Sequence, residues 1–68
     1  MLKSEIYPNM VVGFYSNGKR FKGTVVQLNG IITIEDDTIE IPDTHVAIFI
    51  PLSNETLIKN TRNILGVL

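Results

Sequence analysis

Two Asn-Gly dipeptides constrain the fold of this chain more than any other sequence feature. Asn17-Gly18 and Asn29-Gly30 are both flanked by runs rich in β-branched and aromatic residues. An Asn-Gly pair favours the type I′ turn of a two-residue β-hairpin, because both central residues of that turn need a positive φ. The sequence therefore predicts hairpins and, with them, an antiparallel sheet.

Apolar runs predict five strands between residues 10 and 52. The first begins near Met10, and Gly23 inside the second predicts a bend or bulge where a long strand curves. The runs "IITIE" and "TIEI" follow as the third and fourth strands, separated by a polar break at Asp36-Asp37. The run "VAIFI" over residues 46–50 is apolar throughout. It predicts a fifth strand that is buried on both faces.

The C-terminal segment 53–68 changes its apolar spacing. Leu57, Ile58, Ile64 and Leu65 fall on one stripe at roughly helical spacing. Ser53 suits an N-cap, so we expect an amphipathic helix from about Ser53 to Leu65. With an N-terminal segment 1–9, the chain is then one all-β domain over residues 1–68. Its expected architecture is a five-stranded, strongly bent small barrel with a C-terminal helix.

The composition predicts self-association, and it excludes disulfides and a global positive charge for binding nucleic acid. A chain of 68 residues has a small core, and without cysteine it has no disulfide to add stability. Apolar residues make up 44% of the chain and charged residues only 19%, so a monomer would expose apolar patches. We therefore expect a homo-oligomer, in which self-association covers those patches. The net charge of −1 gives no global basic field for nucleic acid.

No feature of the sequence predicts catalysis, a cofactor or a metal. Asp36 and Asp37 lie at an expected hairpin apex, where solvent prevents useful pKa shifts, and the single histidine, His45, cannot bind a metal alone. No phosphate loop or nucleophile–base pair is present. No run approaches the ~20 apolar residues of a membrane span, and "MLKSEIYPNM" lacks the apolar core of a signal peptide. We expect a cytoplasmic, non-enzymatic protein that does not bind membranes.

The glycines, turn residues and apolar residues between positions 10 and 52 follow the spacing of a known family of small barrels. The glycine spacing from Gly18 to Gly23, the turn at Leu28-Asn29, the isoleucines after it and the stretch "IPDTHVAIFIP" all contribute. In these features the chain resembles the Sm-like proteins, including their Hfq-like bacterial branch. The resemblance implies a small barrel of the SH3-like or Sm-like kind. It also implies a ring in which the fourth strand of one subunit pairs with the fifth of the next.

The same resemblance implies a binding site for single-stranded RNA on one face of the ring. The turn and the link before the fifth strand would form it, with the residues Asn29, Ile31, Asp43, Thr44 and His45. A basic cluster, Lys19, Arg20 and Lys22, would add phosphate contacts, which position a strand without specifying its bases. Those charges are equally typical of a solvated strand edge that they protect from aggregation.

Two functions therefore remain open. The first is a non-enzymatic Sm-like oligomeric module that binds single-stranded RNA. The alternative is a small protein-interaction or regulatory module, such as a phage-type host-directed protein, that uses its edge strands or its C-terminal segment. The net charge of −1 favours the alternative, as does Ile31, which stands where the family has a base-stacking side chain.

Overall fold

The computed structural model describes residues 1–68 and is predominantly β, with 57% of the residues in strands. The all-β prediction is confirmed. Two 3₁₀ helices of one turn each cover Lys3–Glu5 and Thr61–Asn63. The seven strands are β1 (Val11–Ser16), β2 (Lys19–Gln27), β3 (Ile31–Ile34), β4 (Asp37–Glu40), β5 (His45–Ile50), β6 (Glu55–Asn60) and β7 (Ile64–Val67).

Five of the strands form one antiparallel sheet in the order β6-β5-β2-β1-β7. The other two, β3 and β4, form a separate hairpin between β2 and β5, and we call residues 31–40 the arm. The outer strands β6 and β7 do not pair with each other, so the predicted small barrel is not closed. The sheet has five strands, the predicted number, but β6 and β7 from segment 53–68 take the places expected for the third and fourth strands, which form the arm.

The two Asn-Gly pairs behave differently. Asn17 and Gly18 have φ values of 53° and 76° and join β1 to β2 in a two-residue turn, as predicted. The second pair bends the chain at Gly30, whose φ is 86°, but β2 and β3 do not pair, so no hairpin forms there. The turn of the arm uses Glu35 and Asp36, with φ values of 49° and 69°, one residue before the predicted break.

The predicted helix from Ser53 to Leu65 is wrong. Asn54 has a φ of 56° in the turn after β5, and the next six residues form β6, which pairs with β5 along its whole length. Only residues 61–63 are helical, in a single 3₁₀ turn that the Asn60 side chain caps by accepting from Arg62 N at 3.0 Å. The β-branched residues of this segment suit a strand, and pairing with a buried neighbour outweighs the helical spacing.

One face of the five-stranded sheet supplies the core. Its buried side chains come from four strands and from the N-terminal segment, and they are Ile6, Val12, Phe14, Val25, Val46, Ile48, Ile50 and Ile64. The prediction that Val46–Ile50 is buried on both faces holds for Val46, Ala47 and Ile48, whose exposure is 0%. Val46 and Ile48 belong to the core, and β5 lies inside the sheet, where β2 and β6 cover its two edges.

Strand β2 bends beside Gly23, as the sequence predicts. It pairs with β1 from Lys19 to Thr24 and with β5 from Thr24 onward, so it changes its partner near the glycine. An ideal Cβ at Gly23 would lie 2.4 Å from Ile48 Cγ2 and 2.9 Å from the Phe49 carbonyl oxygen. Only a residue without a side chain allows β2 and β5 to approach so closely.

We predict that Gly23→Ala lowers the free energy of unfolding by about 1–3 kcal/mol, because overpacking forces neighbouring atoms to shift. Chemical denaturation monitored by circular dichroism measures the change. Gly66→Ala is the matched control, since a Cβ there meets no atom within 4 Å. Equal stabilities of the two variants would contradict a close approach of β2 and β5 at Gly23.

Candidate functional site

The structure brings the predicted turn and link residues to one end of the molecule. Ile41 N donates to Gly30 O at 2.8 Å, which joins the turn after β2 to the start of the link before β5. The Gln27 side chain donates to the carbonyl oxygens of Asn29 at 2.8 Å and Ile31 at 3.0 Å. These bonds place the backbone at Asn29 and Ile31 on the same end as the link residues 42–45.

This end has exposed polar groups, but its expected stacking position holds an aliphatic side chain. Asn29, Asp43 and Thr44 are exposed and His45 is half-buried, with His45 Nδ1 at 2.8 Å from Thr44 Oγ1. Ile31 is 63% exposed. An aliphatic side chain cannot stack on a base as an aromatic ring does.

The basic cluster lies at the opposite end of β2. Lys19 begins this nine-residue strand, whereas Asn29 follows its last residue. At about 3.3 Å per residue, the two ends of a strand of this length lie roughly 25 Å apart along the chain. The structure therefore does not bring the basic cluster together with the turn and link residues as one surface.

The cluster is also divided between the two faces of the sheet. Arg20 and Lys22 lie across from Tyr15 and Gly13, on the face opposite the core, whereas Lys19 lies across from Ser16 on the core side. An ideal Cβ on Gly13 would lie 3.7 Å from the Arg20 guanidinium. The Arg20 guanidinium therefore lies near Gly13, at an ordinary contact distance from the position a Cβ would occupy.

The start of β2 has a free edge. The Val25 N–H donates to Met10 O at 2.8 Å and the Val25 carbonyl accepts from Asn9 N at 2.7 Å, so both groups of Val25 point to the β1 side. Successive residues of an antiparallel strand direct their backbone groups to opposite edges. The N–H and C=O groups of Arg20 and Lys22 therefore point away from β1, toward the side on which β5 lies.

Strand β5 ends before it can pair with these groups. Thr24 pairs with Phe49, and β5 stops one residue later at Ile50. The same register would place Lys22 opposite Pro51, which has no N–H to donate. The backbone groups of Arg20 and Lys22 consequently have no strand partner, and this four-group segment of β2 is the free edge.

A groove of about 510 Å³ follows the free edge. Arg20, Lys22 and Val11 line it from the face opposite the core, and Phe21 and Ile50 line it from the core face. Leu52 also lines the groove. Leu52 is 95% exposed at the lip of the groove. We call this feature the β2 groove; it combines unpaired backbone groups, two cations and an apolar wall.

The β2 groove was not among the residues predicted as a site, apart from its two cations. The sequence contains part of a signal for it, because Pro51 ends β5, but it does not show that β5 lies beside the longer strand β2. The Leu52 that follows is an apolar residue in a polar turn. The pairing of residues 38–41 with residues 46–50 of a neighbouring subunit stays a prediction; within one copy, β2 and β6 already pair with the two edges of β5.

Comparison with known proteins gives no match: no protein-family model, curated protein or solved structure is similar to this chain. The structure contains no helix of the length and apolar character that crossing a bilayer requires. It also contains no group of three or more histidine and carboxylate side chains arranged to hold a metal ion.

The free edge predicts an alternating pattern of amide hydrogen exchange. In dilute protein, the amides of Arg20 and Lys22 should exchange rapidly, whereas those of Phe21 and Gly23, which point to β1, should be protected. Two-dimensional NMR of the protein transferred into deuterated water measures each amide separately. Protection of all four amides in dilute protein would show that another segment already covers the edge.

Proposed function

We propose that this chain is a non-enzymatic protein-interaction module that binds an extended segment of a partner along the free edge of β2. The observation that supports the proposal most strongly is the pair of residues Arg20 and Lys22, whose backbone donors and acceptors have no strand partner. An extended peptide that adds to a sheet edge obtains its affinity from such main-chain hydrogen bonds. The proposed architecture is an opened small barrel of the SH3-like kind, in which β7 returns beside β1.

The side chains beside the edge specify the kind of segment that fits. Side chains of an added strand alternate between the two faces. On one face they would meet Arg20 and Lys22, and on the other they would meet Phe21, with the exposed Leu52 beside the groove. The groove therefore suits a strand in which acidic residues alternate with aliphatic ones, and its two cations disfavour basic strands.

The edge residues also explain how the free protein avoids indiscriminate pairing. Exposed edges of a sheet are templates for aggregation, and lysine and arginine beside an edge oppose it. Arg20 and Lys22 are exposed and are not used by the side-chain hydrogen bonds of the structure. They repel another basic strand and remain available to an acidic one.

A synthetic peptide that alternates Glu with Ile over about eight residues, a typical strand length, is the probe for this proposal. We expect it to bind about tenfold more tightly than a Lys–Ile peptide of the same length, since each exposed ion pair contributes about 0.2–1 kcal/mol and its reversal adds repulsion. NMR titration should shift the amides of residues 20–24. The same peptide with N-methyl groups on alternate amides should lose binding, because it lacks donors for the edge.

The matched pair of variants is Arg20→Glu and Arg62→Glu. Both arginines are exposed and both changes alter the net charge equally, but only Arg20 lines the β2 groove. We expect Arg20→Glu to weaken the Glu–Ile peptide and Arg62→Glu to leave its affinity unchanged. An N-methylated peptide that binds as tightly as the unmodified one would contradict strand addition.

A second candidate function, binding of single-stranded RNA by an Sm-like module, has one observation in its favour. The turn and link residues expected to contact RNA meet at one end of the molecule through the bond between Ile41 N and Gly30 O. RNA bound at that end would use Asn29, Ile31 and His45 and would not reach the basic cluster at the far end of β2.

For this candidate we expect weak binding of a fluorescent oligouridine that falls steeply between ~50 and ~200 mM salt. Ile31→Tyr should strengthen it, because stacking contributes about 1–3 kcal/mol per base. Fluorescence anisotropy measures both effects. Tyr15→Ile is a control that changes an exposed side chain on β1, away from the turn. Binding that Arg20→Glu abolishes and Ile31→Tyr leaves unchanged would argue against the turn as the RNA site.

A further inference from the structure

The arm has a free edge of its own. The Ile41 N–H points to Gly30 in the bond that closes the base of the arm, so alternation directs the backbone groups of Thr38 and Glu40 away from β3. No other strand pairs with β4 on that side. A two-stranded hairpin is only marginally stable by itself, so additional pairing would stabilise the arm.

The arm and the β2 groove carry opposite charges. Four of the seven acidic residues of the chain lie in the arm, at positions 35, 36, 37 and 40, whereas two of the six basic residues, Arg20 and Lys22, line the groove. The arm follows the C-terminal end of β2, whereas the basic residues lie at the N-terminal start of β2. Within one copy, β4 pairs with β3 and with no part of β2.

We propose that the occupant of the β2 groove is the arm of a second copy of this chain, with β4 added to the free edge of β2. This inference rests on the proposed function, since it names the strand that the edge accepts. An antiparallel register that pairs Arg20 with Glu40 and Lys22 with Thr38 joins the unpaired backbone groups of both edges. In that register Ile39, half-buried in one copy, packs against Phe21 of the other.

The contact joins two different surfaces, so it is heterologous. Each copy offers one arm and one groove, and successive copies therefore add head to tail until a ring closes or an open chain grows. The contact uses an edge that is free in a single copy, unlike the pairing through β5. It also covers two of the exposed strand edges that a monomer would leave open.

The test is sedimentation velocity of the full chain from micromolar to millimolar concentrations. We expect the mass of the parent protein to rise with concentration. Arg20→Glu and Glu40→Arg should each weaken association about tenfold or more, because each places like charges across the contact. An equimolar mixture of the two variants should recover the parent's association, since every contact between unlike copies then joins opposite charges.

Two controls separate this contact from a general charge effect. Arg62→Glu and Asp43→Arg make the same charge changes at exposed positions outside the arm and the β2 groove, and association should remain as in the parent. Amide exchange gives an independent readout, because protection of Arg20, Lys22, Thr38 and Glu40 should increase together as the concentration rises.

The possible results distinguish the two proposals. A protein that stays monomeric at every concentration but binds the Glu–Ile peptide overturns the second copy as occupant and leaves strand addition intact. Association that neither reversal weakens, or that the mixture does not restore, overturns the contact between the arm and the groove. A monomer that also fails to bind the peptide overturns both proposals.

Discussion

The change of partner within β2 is the constraint on which the rest of the structure depends. This strand pairs with β1 in its first part and with β5 in its last part, and it can do so only because Gly23 lets β5 approach to within contact of its backbone. Both partners place one face against the same core. A side chain at Gly23 would separate β2 from β5 and open that core, so one glycine links the sheet's topology to its packing.

The same constraint creates the candidate site. The start of β2 extends past the end of β5 at Ile50. The residues of β2 before Gly23 therefore have a strand partner on one side only. Their unpaired backbone groups lie beside Arg20, Lys22 and the exposed Leu52, so polar, charged and apolar groups meet at one edge. Under the proposed function such an edge is selective, since its two cations would favour an acidic, partly aliphatic strand and disfavour a basic one.

Three predictions depended on which strands lie beside one another, and the structure differs from each of them. The helix over 53–65 was wrong because an apolar stripe in a short segment fits either element, and the neighbour β5 selects the strand. The second Asn-Gly pair bends the chain without forming a hairpin, since its two flanking strands join different sheets. The predicted site residues separate into two groups because β2 is long enough to hold its basic start far from the turn that follows it.

The sequence by itself determined the all-β class, the first hairpin, the bend of β2 beside Gly23 and the burial of the fifth apolar run. Each of these follows from local backbone preference or from side-chain period, which neighbours in the chain decide. Only the tertiary structure decided which strands pair, that the barrel remains open, and that the edge at Arg20 and Lys22 is free. Strand pairing joins residues distant in the chain, and no local pattern shows where one strand extends beyond the end of its partner.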